Sequence, residues 1–367
     1  MTINALQDNL PLLKKMMADM DSRKDVYKPS PFWLECATET AKALKRYGLN
    51  NFRSTRKATP GLTWTDAPNL SVLDYTYSTG KTLKSKVAGL IFRTYLFKQK
   101  FLELLDARVR AGAESTYFKW YKSFRDYWVN SQSSQWFSEV LRNHSMPDTL
   151  VGGCIDEIKI CDQVISPVYF ATLARIFNFC DHTDFRTVKT MLIIGGGFGY
   201  EVHLIMSLFP NIKKCITLDI PPNLYVQTQY LKAVTQEKVR DYAETCGMSK
   251  INFSQLQEGE IIAIAPWQIE KVDTSIDLLW NSCSFQEMTR AQVKNYALFS
   301  QNLMVGTTEP RICLTMYESE ARISRADIID AFEGFTFKQI PADRRHCLPP
   351  PYEEFHYFGS KRLPPTL

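Results

Sequence analysis

The sequence predicts an open, doubly wound α/β sheet preceded by a mostly helical region. Three observations carry that prediction. The apolar run Thr190-Met191-Leu192-Ile193-Ile194 reads as a buried parallel strand. The glycine run Gly195-Gly196-Gly197-Phe198-Gly199 follows at once, and Tyr200–Phe209 then carries helical apolar spacing up to Pro210. Beyond residue 165 strand-like and helix-like stretches alternate, as a doubly wound sheet requires.

Taken in order, residues 5–20 place apolar side chains at helical spacing. Pro29 and Pro31 open a second helix that runs to Tyr47 and stops at Gly48. Residues 88–111 and 116–143 predict two more helices. The stripe Tyr117, Trp120, Tyr121, Phe124, Tyr127 and Trp128 suits core packing, or a platform that stacks on sugar rings. The texture changes around Gly152-Gly153, which divides the chain into a helical cap over 1–165 and an α/β domain over 166–367. In the second part, 167–177 predicts a helix leading into the first strand, 190–194. Further strands are expected at 214–219, near 261–265, at 275–280 and at 311–316, with a helix over 289–304. Phe335–Lys338 and Phe355–Phe358 suit a closing antiparallel pair.

Composition sets bounds on function. The chain has 367 residues, 45% hydrophobic and 23% charged, as in ordinary globular proteins. A net charge of +5 is mild, and no strongly basic arm points to nucleic acid. The densest basic stretch, Lys81 to Lys100, reads first as a solvated helix face and second as a contact for an anionic glycan or a membrane surface. No run of about 18 uncharged apolar residues predicts a membrane span. Nine scattered cysteines without a Cys-x-x-Cys pair suit small buried side chains in a reducing compartment. Met1–Ala5 lacks a basic region followed by an apolar core, so a cytoplasmic location is expected.

The glycine spacing narrows the ligand. Strand, glycine turn and helix open a nucleotide-binding α/β unit. Asp219, 24 positions after Gly195 and at the tip of the second strand, can accept both hydroxyls of a ribose. A dinucleotide fingerprint needs a third glycine where Tyr200 stands. The only Gly-Lys-Thr, Gly80-Lys81-Thr82, has Tyr75 where a phosphate loop needs its first glycine. What remains, Gly195-x-Gly197-x-Gly199 with Asp219, resembles the S-adenosylmethionine loop of Rossmann-like methyltransferases. Such a loop need only let backbone approach the ribose and amino-acid end.

Four stretches extend the resemblance to one family, the sugar O-methyltransferases of surface-glycan and antibiotic-sugar pathways. They are Tyr27–Trp33, Gly48–Arg53, the glycine loop with Leu218-Asp219-Ile220-Pro221-Pro222, and Asn281–Met288. The resemblance implies a Rossmann-like, seven-stranded methyltransferase sheet, S-adenosylmethionine as cofactor, and a sugar or glycan hydroxyl as acceptor. It implies cofactor contacts at Gly195, Gly196, Gly197, Phe198, Gly199, Asp219 and Ile220, and at Asn281 and Ser282 after the fourth strand. Two positions depart from the family pattern. Ile194 stands where an acid often precedes the loop, and Tyr200 where a basic residue often follows it. In this fold class the loop after the third strand abuts the adenine. Trp267 could stack on the ring and Gln268 bond its amine, or Trp267 could be a core residue beside a turn proline.

Methyl transfer to oxygen is an in-line displacement at a sulfonium methyl, and a sugar hydroxyl needs a base near that methyl. Ligands of an open α/β sheet sit at the carboxyl ends of its strands, which places Asn281, Ser282 and Glu287 beside the methyl. Glu287 is the first candidate base; the alternative is an acid stabilised at the start of the helix 289–304. His346, in the late stretch Arg344-Arg345-His346-Cys347, is the second. His203, on the helix after the glycine loop, reads as packing or surface. No His-x-His or His-x-x-x-His spacing predicts a metal site. Two other classes stay open: a methyltransferase of phenols or amines, and a non-catalytic scaffold with a methyltransferase-like domain. A homo-oligomer is left open.

Overall fold

The computed structural model describes residues 6–50, 52–53, 150–153, 158–160, 163–254, 259–317, 323–340 and 354–361. The predicted helices at 88–111 and 116–143, with their aromatic stripe, lie outside the described residues.

The N-terminal part begins with α1 (Leu10–Asp21). It starts at residue 10 because Asn9 caps it, accepting from the Leu12 N–H. Helix α2 (Pro31–Tyr47) follows the prediction end to end, with proline in its first turn and Gly48 at φ 67° after its last. A short antiparallel hairpin, β1 (Ile158–Ile160) and β2 (Gln163–Ile165), leads to α3 (Pro167–Cys180).

The remaining chain builds one eight-stranded sheet. In chain order it runs β3 (Thr190–Ile194), α4 (Tyr200–Leu208), β4 (Lys214–Leu218) and α5 (Pro221–Val234). It continues with β5 (Lys238–Arg240), α6 (Tyr242–Thr245), β6 (Glu260–Ile264), β7 (Leu278–Ser282) and α7 (Arg290–Leu303). It closes with β8 (Arg311–Tyr317), α8 (Arg325–Asp330), β9 (Phe335–Ile340) and β10 (Glu354–Lys361). The spatial order is β5-β6-β4-β3-β7-β8-β10-β9. The strands from β5 to β8 pair in parallel, and β10 pairs antiparallel with both β8 and β9. This is the predicted Rossmann-like α/β class, with the closing antiparallel pair where it was expected.

Two details differ from the sequence reading. The sheet has eight strands instead of seven because β5, three residues long, adds an edge next to β6. The strand expected at 275–280 starts at Leu278 and runs to Ser282. Asp277 holds the lower end, its Oδ2 accepting from the Lys189 and Thr190 N–H groups at 2.8 and 3.0 Å.

Strands β3, β4, β6 and β7 are buried on both faces, so they read as continuous apolar runs and not as alternations. Every residue of α5 except Lys232 is buried, because α1 and α2 pack on the side that the sheet does not cover. Polar bonds strap this outer layer down. The Asn9 N–H donates to Tyr225 Oη at 2.7 Å, and Tyr242 Oη donates to Asp19 Oδ2 at 2.7 Å. Among the described residues, Cys36, Cys180, Cys215, Cys246, Cys283 and Cys313 are free thiols, the first, second and fourth half-buried. No helix among the described residues is long and apolar enough to cross a membrane.

Candidate active site

Register decides where the loops emerge. Ile194 pairs with Leu218 on one side and Asn281 on the other, and Leu218 pairs with Ile264. The loops after β3, β4, β6 and β7 therefore leave the sheet at one level, where the strand order changes direction.

The glycine turn is held from both sides. Gly195, Gly197 and Gly199 have φ of 78°, 55° and 99°, a region that side chains disfavour. A Cβ on Gly195 would sit 2.3 Å from Ser284 Oγ, so the end of β7 needs glycine there. Asp219 closes the turn. Its Oδ2 accepts from the Gly197 N–H at 2.8 Å, and its Oδ1 from the Ile220 N–H at 2.7 Å and Asn223 Nδ2 at 3.2 Å. Burial pushes the Asp219 carboxyl up to about 7, against these hydrogen bonds, and nearby Glu287 pushes the same way. The oxygens keep lone pairs for a ligand's hydroxyls.

The end of β7 is tied to β3 by Asn281. Its Nδ2 donates to Ile194 O at 2.9 Å and to Ser284 Oγ at 2.5 Å, and its Oδ1 accepts from the Phe285 N–H. Cys283 takes a left-handed φ of 61°, rare for a residue with a side chain, while its N–H donates to Thr315 O. This turn carries the chain to Glu287, the last residue of a 3₁₀ turn. Glu287 Oε1 accepts from Tyr317 Oη at 2.6 Å, and Oε2 from Trp33 Nε1 at 2.9 Å. It does not cap α7: Thr289 and Gln292 form a capping box there.

The N-terminal segment supplies the facing wall. Tyr27 Oη donates to Glu270 Oε1 at 2.5 Å, and burial followed by this acid pushes the phenol up to about 12. Gln292 Nε2 donates to Lys28 O at 2.6 Å. Between the walls lies a cavity of about 770 Å³, its open mouth included. Tyr27, Ser30 and Trp33 of the N-terminal segment line it together with Gly195, Gly197, Phe198, Asp219, Ile220, Ser282, Cys283, Glu287 and Tyr296 of the α/β part.

The cavity thus collects most of the site residues expected from sequence. Gly196 and Gly199 shape the turn without lining it. Asn281 stands behind the wall, with its amide committed to backbone and Ser284. Two of the expected contacts lie off the cavity, and Trp267 takes the core alternative. Gln268 turns inward: its Oε1 accepts from the Ala265 N–H, and its Nε2 donates to Thr245 Oγ1. Trp267 packs edge-on against Tyr242 with the Arg23 guanidinium 5.2 Å from its ring centre, and Pro266 reaches the cavity instead. Pro266 begins a 3₁₀ turn, which swings both side chains into the core. His346 lies outside the described residues. His203 is a packing residue, its Nδ1 bonded to Tyr169 Oη at 2.6 Å, and burial lowers it to about 4. Among the described residues no group of three or more His, Cys, Asp or Glu is placed to hold a metal.

Tyr317 and Cys283 are site residues that the sequence reading did not single out. Tyr317 sits one residue beyond the predicted end of its strand. Only the pairing of β7 with β8 brings it to Glu287.

No family model matches the sequence, and no curated protein matches it. Solved structures match part of it. The pyocyanin biosynthetic protein PhzM is 14% identical over 52% of this chain and 55% of its own, with a TM-score of 0.35. The N,N-8-amino-8-demethyl-D-riboflavin dimethyltransferase RosA from Streptomyces davawensis is 15% identical over 53% and 54%, with a TM-score of 0.36. The N-methyltransferase NodS from Bradyrhizobium japonicum WM9, in complex with S-adenosyl-L-homocysteine, is 11% identical over 53% and 86%, with a TM-score of 0.32. The match to PhzM and RosA spans about half of their length. At these values the likeness carries nothing about the site, which stands on its own residues.

Proposed function

We propose that this protein is an S-adenosylmethionine-dependent O-methyltransferase acting on a hydroxyl of a sugar or glycan. One observation carries the reading. A buried carboxylate, Asp219, is bonded to a glycine-turn N–H at the strand ends, and a second carboxylate, Glu287, lines the same cavity. The first pattern suits ribose recognition, and the second supplies a base.

The residues fit the cofactor. The Gly195–Gly199 turn offers backbone where a Cβ would intrude. Asp219 offers lone pairs at a level edge of the sheet, and Ile220 and Phe198 offer apolar surface beside it. When bound, the cofactor supplies a methyl group activated by its sulfonium. Glu287 holds and takes the proton of the acceptor hydroxyl. Trp33 and Tyr317 fix its orientation with one hydrogen bond to each oxygen. The segment before residue 165 serves as the acceptor wall, and residues 166–367 as the cofactor domain. Tyr27 and Trp33 give that wall aromatic surface, which suits the C–H face of a sugar ring, and Tyr296 of α7 adds an aromatic ring to the cavity lining from the other part. The same surface favours a second reading, a phenol or aromatic amine as acceptor.

Calorimetric titration with S-adenosylhomocysteine tests the cofactor, and mass spectrometry of products from sugar and phenol panels tests the acceptor. Micromolar binding with a 14 Da gain on a sugar is the expected result. Binding with gain only on phenols or amines favours the second reading, and no binding leaves a scaffold.

A further inference from the structure

The cavity lining contains a phenol that the proposed chemistry does not use. Tyr296 is 3% exposed and lines the cavity directly. Buried phenol hydroxyls ordinarily find a hydrogen-bond partner. Other polar side chains of this lining have one: Tyr27 Oη is bonded to Glu270, Trp33 Nε1 to Glu287, Ser284 Oγ to Ile194 O and Gln292 Nε2 to Lys28 O. The Tyr296 hydroxyl is bonded to no described residue. Nor is it sealed in the interior, as Ser282 Oγ and Asn223 Oδ1 are.

The fold sets which part of the ligand space it meets. Tyr296 follows Gln292 by one turn on the same face of α7, and the bond from Gln292 to Lys28 O holds that face against the N-terminal segment. Helix α7 also packs on the 3₁₀ turns Asp25–Tyr27 and Pro266–Lys271, and Tyr27 and Pro266 line the cavity. About 9 Å of helix separates Tyr296 from the start of α7, which Glu287 precedes. Tyr296 therefore belongs with the loop after β6 and stands apart from the candidate base. The loop ends after β4 and β6 are where an open sheet takes a nucleoside. Burial pushes the phenol up, and nearby Tyr27 and Asp219 act the same way, so it stays a neutral donor.

We propose that Tyr296 Oη donates to a ribose hydroxyl of the bound cofactor. An ionised Asp219 can only accept, so a hydroxyl that donates to it keeps lone pairs in need of a donor. Tyr296 supplies that donor from α7. The assignment rests on the cofactor reading above and adds to it a residue from the helix after β7.

Tyr296→Phe removes the hydroxyl and keeps the ring. Calorimetry at pH 8 on the full chain should show S-adenosylhomocysteine and 5′-methylthioadenosine both weakened by about three- to tenfold, the range of one neutral hydrogen bond. The 2′-deoxy and 3′-deoxy forms of 5′-methylthioadenosine locate the contact. The unmodified protein should bind both more weakly than the parent nucleoside. For one of them that loss should shrink by about three- to tenfold in Tyr296→Phe, because hydroxyl and donor are then both gone. The readout is a ratio between nucleosides, so Tyr296→Leu serves if Tyr296→Phe does not fold. Unchanged affinity for 5′-methylthioadenosine, or an equal loss for the parent and both deoxy forms, overturns the assignment while the cofactor reading stands. If the unmodified protein binds neither S-adenosylhomocysteine nor 5′-methylthioadenosine, the cofactor reading falls and this inference with it.

Discussion

The two walls of the cavity are built from different materials. The sheet wall is backbone: a glycine turn, strand ends in register, and a carboxylate that accepts two main-chain N–H groups. The N-terminal wall is side chains: Tyr27 and Trp33 reach across to Glu270 and Glu287. Backbone at the ends of buried parallel strands has few alternatives, so the first wall is preorganised for one ligand. Side-chain bonds between segments more than two hundred residues apart hold only while both segments stay docked. On the proposed function, the sheet sets the half that takes the cofactor, and the docking of the N-terminal segment sets the half that takes the acceptor.

The sharpest test of this division is the base. Glu287→Gln keeps the shape of the side chain and should lower turnover by about 10² to 10⁴, with cofactor affinity nearly unchanged. Steady-state kinetics beside calorimetry reads both, and a fall in cofactor affinity as large as that in turnover breaks the division. Next is the backbone wall. Asp219→Ala should weaken cofactor binding by about ten- to a hundredfold per bond lost, with the fold intact by circular dichroism. Wild-type affinity in that variant removes Asp219 from the ribose site. A smaller effect is expected at the seam. Trp33→Phe keeps the ring but removes the donor to Glu287 Oε2, and should cost about tenfold in turnover. A drop in cofactor affinity instead would place Trp33 on the wrong side of the comparison.

The smallest effect concerns pH. Asp219 and Glu201 both sit near 7 in the folded protein, well above their ordinary carboxyl values of 3.8 and 4.5. Between those limits the folded state holds more protons than the unfolded one. Their contribution to stability is therefore full below about pH 4 and is lost as pH rises through about 7. Thermal melts of the ligand-free protein should show this component fall across that window, and Glu201→Gln should flatten it. A melting curve whose pH slope is unchanged by Glu201→Gln would falsify the assignment of that slope to this buried acid.

The strand-turn-helix unit at 190–208, the closing pair of strands and α2 with its proline and glycine limits were legible as one-dimensional patterns. They are encoded by runs and punctuation within a few residues of each other. Asp219 was legible too, because a strand's tip is a position along the chain. Other features were not. Gln268 reads as a ligand contact until the 3₁₀ turn at Pro266 gives it the Ala265 N–H. Glu287 reads equally as a base or as an acid stabilised at a helix start, and only the structure shows that Thr289 and Gln292 supply the side-chain cap of α7.

What the sequence by itself determined is therefore the class of the sheet and the place of its ligand edge, since burial on both faces and glycine at positive φ leave direct marks on residue type. What only the tertiary structure decided is who meets whom at that edge. Tyr317 meets Glu287 because β7 and β8 pair, and Trp33 meets it because the N-terminal segment docks. Such meetings depend on the relative placement of distant segments, which no local pattern of apolar and polar residues records.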